Sequence, residues 1–194
     1  IPCYNERNRL SLLISGLESF DNEWKESYEI IAVDDGSQDG TAVYLRELLE
    51  QKFPNPRFKV IRLPENRGKG GALQAGVQVA KGQFILTLDA DMAAHPLQLK
   101  RWLAKLGQTF SEQEILIASR NHPDSHINAK AHRKVTGSIF NQLVKAVTPI
   151  KESDTQCGFK LYPNKIGKLL FRDLQISGWA HDIEILYKAH AIGI

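Results

Sequence analysis

What this chain of 194 residues lacks narrows the field first. It has two cysteines, Cys3 and Cys157. Two are too few for a disulfide scaffold, so a reducing compartment is expected. No apolar run approaches the roughly 20 residues needed to span a bilayer, and no signal-peptide pattern is visible. The charge is nearly balanced, with 25 basic and 22 acidic residues for a net +3, an excess too small to draw nucleic acid by itself. Repeats, low-complexity tracts and linker-like stretches are absent. At 42% apolar and 24% charged residues, the composition is that of an ordinary globular protein, at a length suited to one domain and barely to two. The ends do not read as natural termini. Ile1-Pro2-Cys3-Tyr4-Asn5-Glu6 looks like the last residue of a strand followed by a loop, and Ala191-Ile192-Gly193-Ile194 like a helix end entering a strand. A piece truncated at both ends is expected, and a membrane segment beyond residue 194 is left open.

What is present is alternation. Residues 8–20 put Leu10, Leu13, Ile14, Leu17 and Phe20 on one helical face, as an amphipathic helix requires. Residues 29–33 form a short β-branched apolar run, hence a buried strand, and Ser37, Asp39 and Thr41 are N-cap candidates for a helix to about residue 52. Strands follow at 58–63, 83–88 and 115–119. Between them lie a helix of small residues, fed by a glycine-rich turn over 66–71, and a helix whose first turn suits Pro96. Such alternation predicts βαβ units and a mainly parallel central sheet with helices on both faces. The second half is less regular: a helix over 130–147 with a basic start, a strand over 158–162 and a helix over 181–191 are expected.

Ligands of such sheets bind outside the carboxyl ends of the strands, and the chemically interesting residues fall there: Asp34 and Asp35, Asp89 and Asp91, and Arg120. Two carboxylates converging at a strand end can supply oxygen ligands to a hard divalent cation, while the same Asp-x-Asp serves equally as a solvated turn. Asp34-Asp35-Gly36-Ser37 is either a capped turn or the place where Asp35 accepts hydrogen bonds from a nucleobase or ribose. Asn66-Arg67-Gly68-Lys69-Gly70-Gly71 lacks the Walker pattern. Its glycines suit close helix–sheet packing or a phosphate cradle, and Lys69 could sit near phosphates.

Together these motifs resemble the family 2 glycosyltransferases of GT-A fold. The pieces that carry the resemblance are Ile1 to Glu6, Val33 to Thr41 (Val-Asp-Asp-Gly-Ser-Gln-Asp-Gly-Thr), Asn66 to Gly70, and Leu88-Asp89-Ala90-Asp91, in the family's order. In the second half, Asp154 to Tyr162 (Asp-Thr-Gln-Cys-Gly-Phe-Lys-Leu-Tyr) and Trp179 to Tyr187 look like segments of the dolichyl-phosphate β-glucosyltransferases. The dolichyl-phosphate mannose synthases share the plan, but their pattern has Gln where this sequence has Ala93.

The resemblance implies one GT-A domain, with a nucleotide-binding half over about 1–120 and an acceptor-side half over about 121–194. It implies an inverting, metal-dependent hexose transfer from a nucleotide-sugar, UDP-glucose before GDP-mannose, to a polyprenyl phosphate. Pro2, Tyr4, Glu6, Val33 and Asp35 would line the nucleoside pocket. Asp91 would ligate Mg2+ or Mn2+, with Asp89 a metal or donor contact. Arg120 and Arg133 would reach the donor diphosphate or the acceptor phosphate, since guanidinium binds phosphate oxygens bidentately. Asp182 is the candidate base if the acceptor is a hydroxyl; a helix-start carboxylate favoured by the dipole is the equal alternative. His181 reads as a surface histidine or a supplementary metal ligand. A lipid acceptor implies peripheral membrane contact, at the cytoplasmic face, and no nucleic acid partner. Two other functions remain open: a family 2 transferase acting on a sugar hydroxyl, and a nucleotide-sugar-binding domain without turnover. Oligomeric state is not readable.

Overall fold

The computed structural model describes residues 1–53, 57–107, 109–119, 150, 152 and 154–194. Arg120, Arg133 and the helix expected over 130–147 lie outside the described residues. In chain order the elements are β1 (Pro2–Cys3), a 3-10 turn (Arg7–Arg9), α1 (Leu10–Glu23), β2 (Ile30–Asp34), α2 (Thr41–Lys52), β3 (Phe58–Arg62), α3 (Gly68–Val79), β4 (Phe84–Thr87), α4 (Gln98–Lys105), β5 (Leu116–Ile117), β6 (Lys160–Pro163), α5 (Asn164–Arg172) and α6 (His181–Ala191).

The run Ile30 to Val33 is continuously apolar because both faces of β2 are covered. Ile30 and Ala32 join the cluster made with Leu13, Leu17, Leu45 and Leu49 of α1 and α2. Val33, with Ile31 packed beside it, turns the other way onto Leu63 and Ala72 of the α3 side. Helices therefore sit on both faces, as alternating side chains on a pleated strand demand. The strands β1, β2 and β3 are parallel, with Pro2 opposite Val33 and Ile30 opposite Phe58.

The alternation of strand and helix continues in sequence through β5, but the parallel pairing does not. Both β4 and β5 are antiparallel to β6, which inserts between them. Alternation states only that a helix follows each strand. The direction of pairing is set here by a strand that returns from the far half of the chain. Among the described residues, no helix is long and apolar enough to cross a membrane.

Candidate functional site

The loops after β1 and β2 are laced together by the turn residues of the second. Of the three N-cap candidates, Asp39 takes the first helical N–H, that of Thr41, at 2.9 Å. The other two hold the first motif instead: Ser37 Oγ accepts from the Asn5 N–H at 2.8 Å and Thr41 Oγ1 from the Glu6 N–H at 2.9 Å. Asn5, at φ 52°, returns a bond by accepting the Gln38 N–H at 3.1 Å. Tyr4 is thereby left exposed beside partly buried Pro2, while Val33 packs in the core. Glu6 gives one oxygen to Arg9 at 2.6 Å, and its buried Oε2 has no partner. Asp35 is buried and accepts the Arg67 N–H at 2.7 Å, tying this turn to the glycine-rich one. Asp34 is fully buried; among the described residues neither carboxylate oxygen has a hydrogen bond, and Arg62 Nε lies 3.6 Å from Oδ2.

The glycine-rich turn resolves toward packing. The N–H groups of Gly70 and Gly71, at the start of α3, both donate to the Ser177 carbonyl, at 2.7 and 3.3 Å. They are thus committed within the protein. A Cβ on Gly70 would stand 2.7 Å from His181 Cβ and 2.8 Å from Ser177 O, so only glycine lets the segment before α6 dock here. That docking corrects the expectation of a surface histidine: His181 is buried. Its Nδ1 shares a hydrogen bond with Gly178 O at 2.8 Å, and Nε2 lies 3.5 Å from Asp182. Burial pulls the His181 pKa below its usual value, with the Asp182 charge opposing.

Asp89 follows β4, and its carboxylate occupies the place where Gly158 has no side chain. A Cβ at Gly158 would lie within 2.5 Å of Asp89 Cγ and Oδ1 and nearer still to Oδ2. Gly158 is itself held by Thr87 Oγ1, which donates to its carbonyl at 2.8 Å. Lys69 Nζ meets Asp89 Oδ1 at 2.6 Å and lies 5.6 Å from the ring centre of Trp179, a residue 77% exposed. Asp91 is exposed and accepts the Ala93 N–H at 3.0 Å. The next residue, Met92, adopts φ 54°, and its sulfur seats where a Cβ on Gly16 of α1 would be only 3.0 Å away. Left-handed backbone at a non-glycine residue is held by its surroundings and often marks a functional turn.

The donor chemistry fits Mg2+ or Mn2+. Hard cations take carboxylate oxygens and keep room for waters and substrate phosphates. No group of three or more potential ligands gathers among the described residues. Lys69 already marks Asp89 as a cation seat.

Two residues here escaped the reading of the sequence, Gly158 and Lys160. Lys160 lies inside β6 with no exposure; its Nζ donates to Cys157 O at 2.5 Å and to Asp182 Oδ1 at 2.6 Å. A lone lysine within Phe159-Lys160-Leu161-Tyr162 was the available signal, because a charge in a buried strand needs a counter-charge. Asp182 is accordingly an ion-paired, buried carboxylate at the first turn of α6. Asp154 is buried too.

The family profile for glycosyl transferase family 2 matches residues 1–170. A dolichyl-phosphate beta-glucosyltransferase of Dictyostelium discoideum is 35% identical over 204 residues, covering 100% of this chain and 62% of that protein. The protein of the same name from Homo sapiens is 33% identical, covering 97% of this chain and 61% of that one. The chain thus spans about three fifths of the length of these relatives. Among solved structures, the glucosyl-3-phosphoglycerate synthase of Mycobacterium tuberculosis in complex with Mn2+ and UDP-glucose superposes with a TM-score of 0.67. Its identity is 18%, over 98% of this chain and 63% of that one. S. aureus TarS 1-349 in complex with UDP gives a TM-score of 0.65 at 22% identity, over 97% and 53% of the two chains. At such identities the likeness speaks for a shared GT-A fold.

Proposed function

The chain belongs to glycosyl transferase family 2, and on that premise we propose that it moves a hexose from a nucleotide-sugar, UDP-glucose by preference, to a polyprenyl phosphate of the dolichyl type. The full span of this chain is similar to dolichyl-phosphate beta-glucosyltransferases. One observation carries the reading further: residues 154–162, the stretch that resembles those enzymes in the second half, supply the Gly158 cradle for Asp89. Donor-side and acceptor-side halves meet on one carboxylate.

In this reading the residues divide the work. Pro2, Tyr4, Glu6 and Asp35 would frame the nucleoside end, whereas Val33, expected there too, has its side chain in the core against Leu63 and Ala72 and cannot line a pocket. Asp91 and Asp89 would hold Mg2+ or Mn2+, which when bound supplies charge neutralisation for the departing diphosphate. An oxygen of the acceptor phosphate attacks the anomeric carbon as its bond to the diphosphate oxygen breaks, with one inversion. That oxygen is already ionised near neutral pH, so the chain's work is positioning and electrostatic stabilisation. Asp182 then acts as a positioning residue through Lys160, and no general base is required. Arg120 and Arg133 would reach the donor diphosphate or the acceptor phosphate, as the resemblance implies. The acceptor places the protein at a membrane surface, on the cytoplasmic side.

The test uses the full chain with labelled UDP-glucose, dolichyl phosphate and Mg2+ or Mn2+. Labelled glucolipid extractable into organic solvent is expected, and Asp91→Ala should lower its formation by about 100-fold or more at an unchanged melting temperature. Near-normal turnover in that variant would remove Asp91 from the metal role. Label that follows GDP-mannose, or that stays in the aqueous phase on a sugar hydroxyl, would overturn the donor or acceptor assignment.

A further inference from the structure

Asp89, Lys69 and Trp179 form a stack of carboxylate, ammonium and indole. Each member is held from behind. Gly158 seats the carboxylate, and a side chain there would displace it. Lys69 sits at the second residue of α3, and its side chain is 15% exposed. Trp179 is carried over it by the segment whose Ser177 carbonyl is bonded to Gly70 and Gly71. The ammonium, 2.6 Å from Asp89 Oδ1 and 5.6 Å from the ring centre, gains from both neighbours; a cation within about 6 Å of an indole face is attracted by its quadrupole.

An ammonium at hydrogen-bond distance from a carboxylate weakens the hold of that carboxylate on a divalent cation, because the two positive charges repel across a few ångströms. We propose that Lys69 is a tethered competitor for the divalent cation at Asp89: it closes the cation seat in the donor-free protein and yields it when the donor diphosphate offers the ammonium another anion. This rests on the metal role given above to Asp89 and Asp91. Metal and nucleoside diphosphate then bind cooperatively, since the diphosphate removes the competitor from the carboxylate. By linkage the metal strengthens diphosphate binding by the same factor.

The experiment measures Mn2+ binding to the full chain by the loss of its free-ion paramagnetic resonance signal, with and without UDP, for the wild type, Lys69→Met and Lys69→Arg. Quenching of tryptophan fluorescence by Mn2+, compared with Trp179→Phe, places the ion beside the stack. Lys69→Met should bind Mn2+ alone about 10-fold more tightly than the wild type, like charge having been removed from the seat. UDP should then enhance Mn2+ binding at least about 10-fold less than in the wild type. Lys69→Arg keeps the charge and should follow the wild type. Lys69→Gln is the second neutral variant should the methionine form fold poorly, and it should follow Lys69→Met. Mn2+ affinity in the neutral variants equal to or below that of the wild type overturns the proposal. If Asp91→Ala abolishes Mn2+ binding in that same series, the metal assignment stands and only the competition fails. If Asp89→Ala and Asp91→Ala both leave Mn2+ binding with UDP unchanged, both fail.

Discussion

Gly158→Ala is expected to fold normally and to lose transfer by about 100-fold. Gly158 lies outside the left-handed region, so alanine meets no backbone strain there. The whole penalty is the contact with Asp89. Real Cβ atoms do not approach other atoms closer than 3.0 Å, so the carboxylate has to retreat by about 1 Å, and a displacement of that size is enough to cost a reaction about 100-fold. The retreat itself is cheap because the atoms displaced are the end of a partly exposed side chain. Stability and activity should therefore separate. The thermal midpoint stays within about 4 °C of the wild type, corresponding to roughly 1 kcal/mol in a domain of this size, while glucolipid formation and Mn2+ binding in the presence of UDP both collapse. Wild-type activity in this variant would show that the position of Asp89 does not matter. A large loss of stability would show that Gly158 serves the fold instead.

The second large effect is on stability. Lys160→Met leaves Asp182 buried without its counter-ion, and breaking a buried pair costs about 3–5 kcal/mol. At about 2–4 °C per kcal/mol for a chain of this length, the melting midpoint should fall by roughly 6–20 °C. No neighbour replaces the lysine. His181 lies 3.5 Å from Asp182, but its burial opposes the charged form and pulls its pKa below the usual value against the pull of Asp182. Tyr162 is held well above its ordinary range by burial and then by the Asp182 charge, and so remains a neutral phenol. Adding Asp182→Leu to Lys160→Met removes the orphaned charge and should restore most of the loss, since buried pairs replaced by apolar residues are often close to neutral in stability. Thermal unfolding of the wild type, the single variant and the double variant decides it. A single variant melting within about 2 °C of the wild type would deny the pair its structural weight, and with it the reading of Asp182 as a positioning residue.

The two predictions meet on one short stretch. Lys160 Nζ grips the carbonyl of Cys157, the residue before Gly158, while Thr87 holds the carbonyl of Gly158 itself. The buried charge pair thus reaches the site through the backbone of residues 157 and 158, and loss of Lys160 should also loosen Asp89. Gly158→Ala touches the carboxylate directly and leaves the pair alone, which is why the two variants separate the fold from the site.

Much of this is legible in the sequence. The spacing of Leu10, Leu13, Ile14, Leu17 and Phe20 marks the buried face of α1, because a helix repeats every 3.6 residues whatever it packs against. The expected helix over 181–191 is α6. The carboxyl-end positions of Asp34, Asp35, Asp89 and Asp91 follow from strand and turn signals that are local in sequence. Ser37, Asp39 and Thr41 could be recognised as capping residues, yet their division of labour could not be read, because Asn5 and Glu6 approach them from more than thirty residues away.

Local chemistry written along the chain therefore determined most of the elements, though not α5, and the family, since propensity, capping and side-chain periodicity need only near neighbours. The tertiary structure alone decided which of those residues are committed. It turned β4 and β5 antiparallel onto β6, spent the N–H groups of Gly70 and Gly71 on Ser177, buried His181, paired Asp182 with Lys160 and seated Asp89 against Gly158 with Lys69 upon it. Each of these depends on a contact between residues far apart in sequence. Whether a carboxylate is free or paired, and whether a glycine makes a turn or makes room, is a property of what stands opposite it in space.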